Sequence, residues 1–507
     1  MRLNQIKVGV ILSYFIVVLS MAVGLVYTPI LVRKLGQSEY GLYSLIASII
    51  SYLTILDLGF GNAIVVYTTR YRAKKQNEEE SKLHGMFIFI YTIIGVVASI
   101  IGIILYFNID NMFGNTMTVQ ELSKAKVMMI ILTFNLIITF PFSVFGNIII
   151  AYEKFIFSKL VKILQILLVP CIMIPALFLG YKSITMVLII TITNIICLLI
   201  NTYFCFKKLK LKILFRGFDI KILKEIFAYS FFIFLNQIID KVNWTLDQFV
   251  LGLVSGTVTV AIYSIAGQLN MMYMHFSTAI SSVMLPKITK MEENKATNEE
   301  FTDVFVKIGR IQYIVMALII TGFILFGQSF INIWVGEGYQ ESYAIACILM
   351  IPITIPLIQN IGLSILQAKN KYKYRTMIFF VIAIINILIT LILVQRYGGI
   401  GAAIGTAIAQ ILGQIIIMNI YYHKKIHINI IKFWKEIGKM SIPVVFTFII
   451  GLLIVSKIDI SGLLAMSVWI IVYSIIYILL MWIFAMNTEE KDLIRKPIKK
   501  ILKMRGE

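Results

Sequence analysis

Five residues carry or can carry charge within otherwise apolar stretches: Asp57, Asp240, Lys241, Asp247 and His275. A charge at bilayer depth costs roughly 2.5–3.5 kcal/mol, so each needs a partner or a purpose. Asn236, Asp240, Asn243 and Asp247 follow a 4-3-4 spacing, which places them on one face of a helix. Gln237, Lys241, Trp244 and Gln248 form an adjoining stripe with the same spacing. Such a face must line a water-filled cavity or meet polar partners on other helices. Two readings stay open. Either the face lines a transport cavity and offers Lys241 to an anion, or Asp240 or Asp247 neutralises Lys241 and the cluster only joins helices.

Asp57 lies in Asp57-Leu-Gly59-Phe-Gly61-Asn62. Two glycines weaken a helix there and expose backbone groups. This suits an ion or proton site, with Asp247 a second candidate for coupling; a tight helix crossing is the other reading. His275 titrates near neutral pH and could take a proton or a phosphate, or it could simply pack between helices. Arg33 and Lys34 follow the first apolar stretch, Arg70 and Arg72 the second, and Lys159 and Lys162 open the fifth. They read as flanking anchors or as cations at a cavity mouth.

The elements that must position these residues are membrane spans. Of 507 residues, 59% are hydrophobic and 14% charged, and mean hydropathy is +0.91. Soluble chains have about 25% charged residues. The net charge of +21 would suggest nucleic acid in a soluble protein; here it orients loops, and no nucleic-acid partner is expected. Cys171, Cys197, Cys205 and Cys347 lack metal-ligand spacing and read as free, buried thiols. The first apolar run, Val8 to Val32, is too long for a signal-peptide core.

About fourteen stretches are long and apolar enough to span, so the predicted fold is all-α and polytopic. They include 8–32, 40–69, 226–252, 257–285, 376–395, 399–421, 440–456 and 463–486. About 38 lysines and arginines fall on the side of both termini and about 8 on the other, which marks the first side as cytoplasmic. External loops are short, the longest near 108–124. Asn487 and Glu490 fit a capping box before a basic helix carrying Ile494, Ile498, Ile501 and Leu502, and Thr297 and Glu300 fit another.

The two halves echo each other. Gly41-Leu-Tyr43-Ser44-Leu45 matches Ala261-Ile-Tyr263-Ser264-Ile265, and Gly180-Tyr181-Lys-Ser-Ile184 matches Arg396-Tyr397-Gly-Gly-Ile400. Gly146 to Ala151 falls opposite Gly362 to Gln367 at nearly the same offset. A repeat of six spans gives both copies the same orientation, related by an axis along the membrane normal. The expected organisation is an N-lobe at 1–206, a basic cytoplasmic linker at 207–225 and a C-lobe at 226–421. The last two spans with their preceding loop occupy 422–486, and a basic amphipathic tail 487–507. No phosphate-binding loop, His-Glu-x-x-His motif or nucleophilic triad is present, so no cofactor, catalytic residue or metal site is expected.

With about fourteen spans, this duplication and Asp57-Leu-Gly-Phe-Gly61-Asn62 in the second, the chain resembles the polysaccharide flippases of the multidrug/oligosaccharidyl-lipid/polysaccharide exporter superfamily. Thr245-Leu-Asp247-Gln-Phe-Val-Leu-Gly252, Ala261-Ile-Tyr263-Ser264-Ile-Ala266 and Leu366-Gln-Ala368-Lys369-Asn370 share the resemblance. It implies a V-shaped transporter in a bacterial cytoplasmic membrane. Its implied substrate is an undecaprenyl-diphosphate-linked oligosaccharide, whose headgroup crosses through a hydrated cationic cavity while the tail stays in lipid. Membrane lipid, a proton or sodium ion and polysaccharide polymerase machinery are the other expected partners. An ion-coupled exporter of cationic drugs is the competing reading, which the carboxylates would serve; a membrane polymerase would need larger external loops. Lys241 is the one clear cation at mid-membrane depth, fewer than the resemblance implies.

Overall fold

The computed structural model describes residues 5–281, 284–457, 462–493 and 495. Ile494, Ile498, Lys499, Lys500, Ile501 and Leu502 of the tail, and the side chain of Trp244, lie outside the described residues. Among those described, every regular element is helical. The bilayer core offers no water to backbone N–H and C=O groups, and helices satisfy them internally.

Contacts divide the chain into two units: Met1–Ser264 with Asn386–Ala402, and Ile265–Ile385 with Ala403–Glu507. The first unit contains α1 (Gln5–Leu35), α2 (Gln37–Leu53), α3 (Phe60–Ala73), α4 (Asn77–Phe113), α5 (Val119–Ala151), α6 (Phe155–Phe178), α7 (Ser183–Lys207) and α8 (Ile220–Val254). The unit boundary falls inside α9 (Thr257–Ser281). The second unit holds α10 (Leu285–Glu293), α11 (Asn298–Trp334), α12 (Glu341–Ile358) and α13 (Ile361–Ala368), then most of α14 (Tyr372–Gln410). It ends with α15 (Met418–Lys424), α16 (Ile430–Val455) and α17 (Leu463–Leu480). Contacts thus group α8 with α1–α7, whereas the repeat expected from sequence would place the seventh span in the second copy.

Twelve helices among the described residues are long and apolar enough to cross a membrane. They cover thirteen of the fourteen predicted spans: two predicted spans share one helix, and one is absent from the twelve. The eleventh and twelfth spans run together as Lys373–Lys424, 52 residues, but Gly398, at φ 52° and ψ −128°, breaks the helix between them. The eighth, α9, has 25 residues but is too polar, with Gln268, Asn270 and His275 along it. The thirteenth begins ten residues earlier than hydropathy indicates, at Ile430, because Lys432, Lys435 and Lys439 mask a helical turn pattern. The stretch 108–124, expected from sequence as the longest external loop, is mostly helix: α4 runs to Phe113 and α5 starts at Val119.

Both caps read from sequence are formed at these helix starts. Thr297 accepts from the Glu300 N–H while the Glu300 carboxylate accepts from the Thr297 N–H at 2.7 Å, and Asn487 and Glu490 reciprocate at 2.9 Å. A third box, Thr118 with Glu121, starts α5. Helices approach closely through small residues. Gly95, Ala98 and Gly102 bring α4 against α5, where a Cβ on Gly102 would touch Thr133. A Cβ on Gly41 would overlap the carbonyl oxygen of Thr257 and crowd the Ala261 amide. The two copies of the Gly/Ala-x-Tyr-Ser motif therefore meet directly, and Tyr43 lies beside Tyr27 much as Tyr263 lies beside Asp247. The side chains facing away are apolar: Ile103, Phe107, Leu453 and Leu464 are all more than half exposed.

Of the four cysteines, Cys197 and Cys205 are buried as expected. Cys347 is half-buried and Cys171 exposed, since α6 turns that face away from its neighbours. All four are free thiols.

Candidate functional site

The helix begun at Gln37 does not run unbroken through Asp57. It tightens into a 3₁₀ turn at Thr54–Asp57, passes Leu58 at φ 52° and Gly59 at φ 75°, and restarts as α3. Gly59 is suited to this turn because the left-handed region costs it nothing, and the Ile233 side chain and the Ser230 carbonyl of α8 leave no room for a Cβ. The break turns Asp57 out of the helical ladder. Its carboxylate accepts a hydrogen bond from the Tyr91 hydroxyl of α4 at 2.5 Å.

Asp57 then faces a cleft of about 440 Å³ within the first unit. Thr54 and Asp57 come from the break, Thr139 and Ser143 from α5, and Gln237, Asp240 and Lys241 from α8. Three of the charged residues picked from sequence are thereby gathered: Asp57, Asp240 and Lys241. Asp240 is exposed and Lys241 half-buried. Asp240 and Lys241 are neighbours in charge as well as in sequence. Two carboxylates and an ammonium on walls that also carry hydroxyls and an amide make a site able to hold polar, hydrated or charged groups.

The remaining candidates are placed elsewhere. Asn236 and Asn243 share α8 and are half-buried. Asp247, two turns beyond Asp240, is 3% exposed and accepts from the Tyr263 hydroxyl. His275 lies in the second unit's part of α9, half-buried, and its carbonyl accepts from Thr278. Arg33, Lys34, Arg70 and Lys162 are all exposed. Lys34 sits over the Phe178 ring at 4.4 Å and Arg70 over Tyr67 at 4.8 Å. Lys162 donates to Gln165 at 3.0 Å.

Sequence reasoning missed one wall. Asn135, Thr139, Ser143 and Asn147 recur every four residues along α5, a polar stripe on one helix face. Asn194 of α7 donates to Asn135 Oδ1 and Thr139 Oγ1, both at 2.7 Å, and Asn147 packs on Gly61 beside the break. The 4-4-4 spacing was the available signal. Neutral residues were overlooked beside the charges.

Helices of this length, packed through small residues around a charged cleft, define a multi-pass membrane protein of the all-α class. The chain belongs to the polysaccharide biosynthesis protein family, which it matches over residues 6–292. This is the family level at which the motif resemblance placed it. It is 23% identical over 401 residues to a protein of Shigella flexneri described as an O-antigen transporter, covering 77% of this chain and 91% of that one. It is 26% identical over 205 residues to the capsular polysaccharide biosynthesis protein CapF of Staphylococcus aureus, covering 40% and 50%. In fold it is similar to the lipid II flippase MurJ, with a TM-score of 0.72 at 18% identity over 97% of this chain and 99% of that one. It is also similar to an inward-facing multidrug resistance transporter of the MATE family and MOP superfamily, with a TM-score of 0.61 at 15% identity over 78% and 96%.

Proposed function

We propose that this protein is a flippase that moves undecaprenyl-diphosphate-linked oligosaccharide repeat units from the cytoplasmic to the outer face of a bacterial inner membrane, for surface polysaccharide biosynthesis. The observation that carries the reading is the cleft where Lys241 stands among Thr139, Ser143, Gln237, Asp57 and Asp240. Hydroxyls and amides suit a saccharide, and an ammonium suits a phosphate. A sugar diphosphate crossing bare lipid would strip several polar groups of water at several kcal/mol each; a polar cleft replaces that water. The relatives' described roles in O-antigen transport and capsule biosynthesis support the substrate class. No covalent step is required of the protein. Two six-span lobes, 1–206 and 226–421, would alternate access about the site, with both termini cytoplasmic and Asp57 or Asp247 taking a coupling proton or sodium ion.

The pairing of Asp57 and Asp240 in one cleft also favours a second reading, an ion-coupled exporter of cationic compounds. Deleting the gene and following lipid-linked sugar on each membrane face separates the two. The flippase reading expects accumulation on the cytoplasmic face and loss of surface polysaccharide, restored by the wild-type gene. Lys241→Ala, at equal protein level, should restore roughly a tenth or less, the loss of one charge-assisted contact. Normal polysaccharide with new sensitivity to cationic dyes would overturn it in favour of the exporter.

A further inference from the structure

The second unit holds a smaller polar cavity, of about 60 Å³, that the cleft around Lys241 does not include. Gln359 and Asn360 reach it from the break between α12 and α13, Arg375 and Phe379 from the first turns of α14, and Gln414 and Tyr422 from the helix that ends in α15. Its floor is rigid. Gln359, 2% exposed, donates to Asn419 Oδ1 at 2.9 Å, and the Trp434 indole donates to the same oxygen at 3.0 Å. Asn419 returns a bond to Gln359 at 3.3 Å. On the opposite wall, Gln414 lies within a π-helical turn, Ile411–Ile417. Such a turn gives up regular helical bonding, and π-turns occur frequently at functional sites. The Arg375 guanidinium lies 4.2 Å from the Phe379 ring centroid.

The approach to this cavity is strongly cationic. Lys369, Lys371, Lys373 and Arg375 occur within seven residues without an acid. His423, Lys424, Lys425 and His427 form a second acid-free run, and the Lys371 ammonium donates to the Lys425 carbonyl at 3.0 Å, which joins the two. Burial holds the Lys369 ammonium below the usual lysine range, with Glu292 opposing and Lys371 adding to that shift. A cationic approach, a planar donor fork and amides fixed in place suit one phosphate group. A cavity of about 60 Å³ has room for a phosphate group.

We propose that this cavity is a docking subsite for one phosphate of the lipid-linked diphosphate headgroup, on the side the charge bias assigns to the cytoplasm. It rests on the flippase reading and adds a capture site, held by Arg375, Gln359, Asn360 and Gln414, separate from the Lys241 cleft. The sugar would project past the rim, so the subsite would recognise the carrier rather than the saccharide.

The test uses full-length protein in phosphatidylcholine nanodiscs, with bound lipid measured by native mass spectrometry. The probes are undecaprenyl diphosphate, phosphatidylglycerol and inorganic pyrophosphate as competitor. Wild type should retain undecaprenyl diphosphate over phosphatidylglycerol, and pyrophosphate should compete. Arg375→Ala should weaken retention roughly tenfold or more. Arg375→Lys, which keeps the charge and loses the fork, should fall between, with an unchanged melting temperature. Unaltered retention in both variants overturns the proposal. So does equal binding of phosphatidylglycerol lost in the same variants, which would mark a general anionic-lipid contact. If Lys241→Ala abolishes retention while Arg375→Ala does not, only this subsite falls. If wild type retains no undecaprenyl diphosphate, the flippase reading falls with it.

Discussion

At the residue scale, the Asp57 carboxylate accepts a hydrogen bond from the Tyr91 hydroxyl. This separates two contributions that one substitution would confuse. Asp57→Asn removes the charge and keeps an acceptor for Tyr91; Tyr91→Phe keeps the charge and removes the donor that orients it. If Asp57 carries the coupling ion, Asp57→Asn should abolish ion-driven transport in proteoliposomes. Tyr91→Phe should then slow it by roughly ten- to a hundredfold, the worth of a hydrogen bond to a charged group. Equal, small effects of both would return Asp57 to a role in helix packing. Charged residues of this kind stand out in an apolar sequence because their cost in lipid is high. Tyr91, Asn135 and Asn194 did not stand out, because a neutral side chain acquires importance only from what it meets across helices.

At the element scale, close approach decides where helices can cross. A Cβ on Gly41 meets the backbone oxygen of Thr257, whereas a Cβ on Gly102 meets the Thr133 side chain. A side chain can rotate away, but a helical backbone moves only with its helix. Gly41→Ala should therefore lower the melting temperature in detergent and the amount of inserted protein more than Gly102→Ala does; the reverse order would contradict this packing. The same scale explains the differences in helix limits. Hydropathy sees the apolar core of a span and misses turns rich in lysine, as at the start of α16. The helix break at Gly398, in Arg396-Tyr397-Gly398-Gly399, falls between the two spans that hydropathy separates at 376–395 and 399–421. In the same first turns of α16, packing carries a charge: buried Arg310 of α11 pairs with Glu490 at 2.7 Å and Glu436 at 2.9 Å, joining α11 and α16 to the segment after α17.

At the scale of the whole molecule, the run from Lys373 to Lys424 is far too long for one crossing of a bilayer core about 30 Å thick. Gly398 and the exposed Tyr397 must lie on the side opposite both of its ends. With the native cysteines replaced, Tyr397→Cys should react with a membrane-impermeant maleimide added outside intact cells, and Lys425→Cys should not. Labelling of both, or of Lys425→Cys alone, would overturn the assigned orientation and with it the direction of transport.

The amino-acid sequence alone determined that this is a helical, multi-pass membrane protein, and which family it resembles. Those properties come from local hydropathy, lysine and arginine counts between spans, and short contiguous motifs. It also singled out Asp57, Asp240 and Lys241, since charge in an apolar stretch is conspicuous without any partner. Only the tertiary structure decided that these three share one cleft while Asp247 is buried beside Tyr263, although Asp240 and Asp247 have the spacing of a common face. Helical periodicity states which residues point the same way. What they point at depends on helices such as α4 and α5, which end at Phe113 and Ala151, well before α8 begins at Ile220, and are brought to it only by packing.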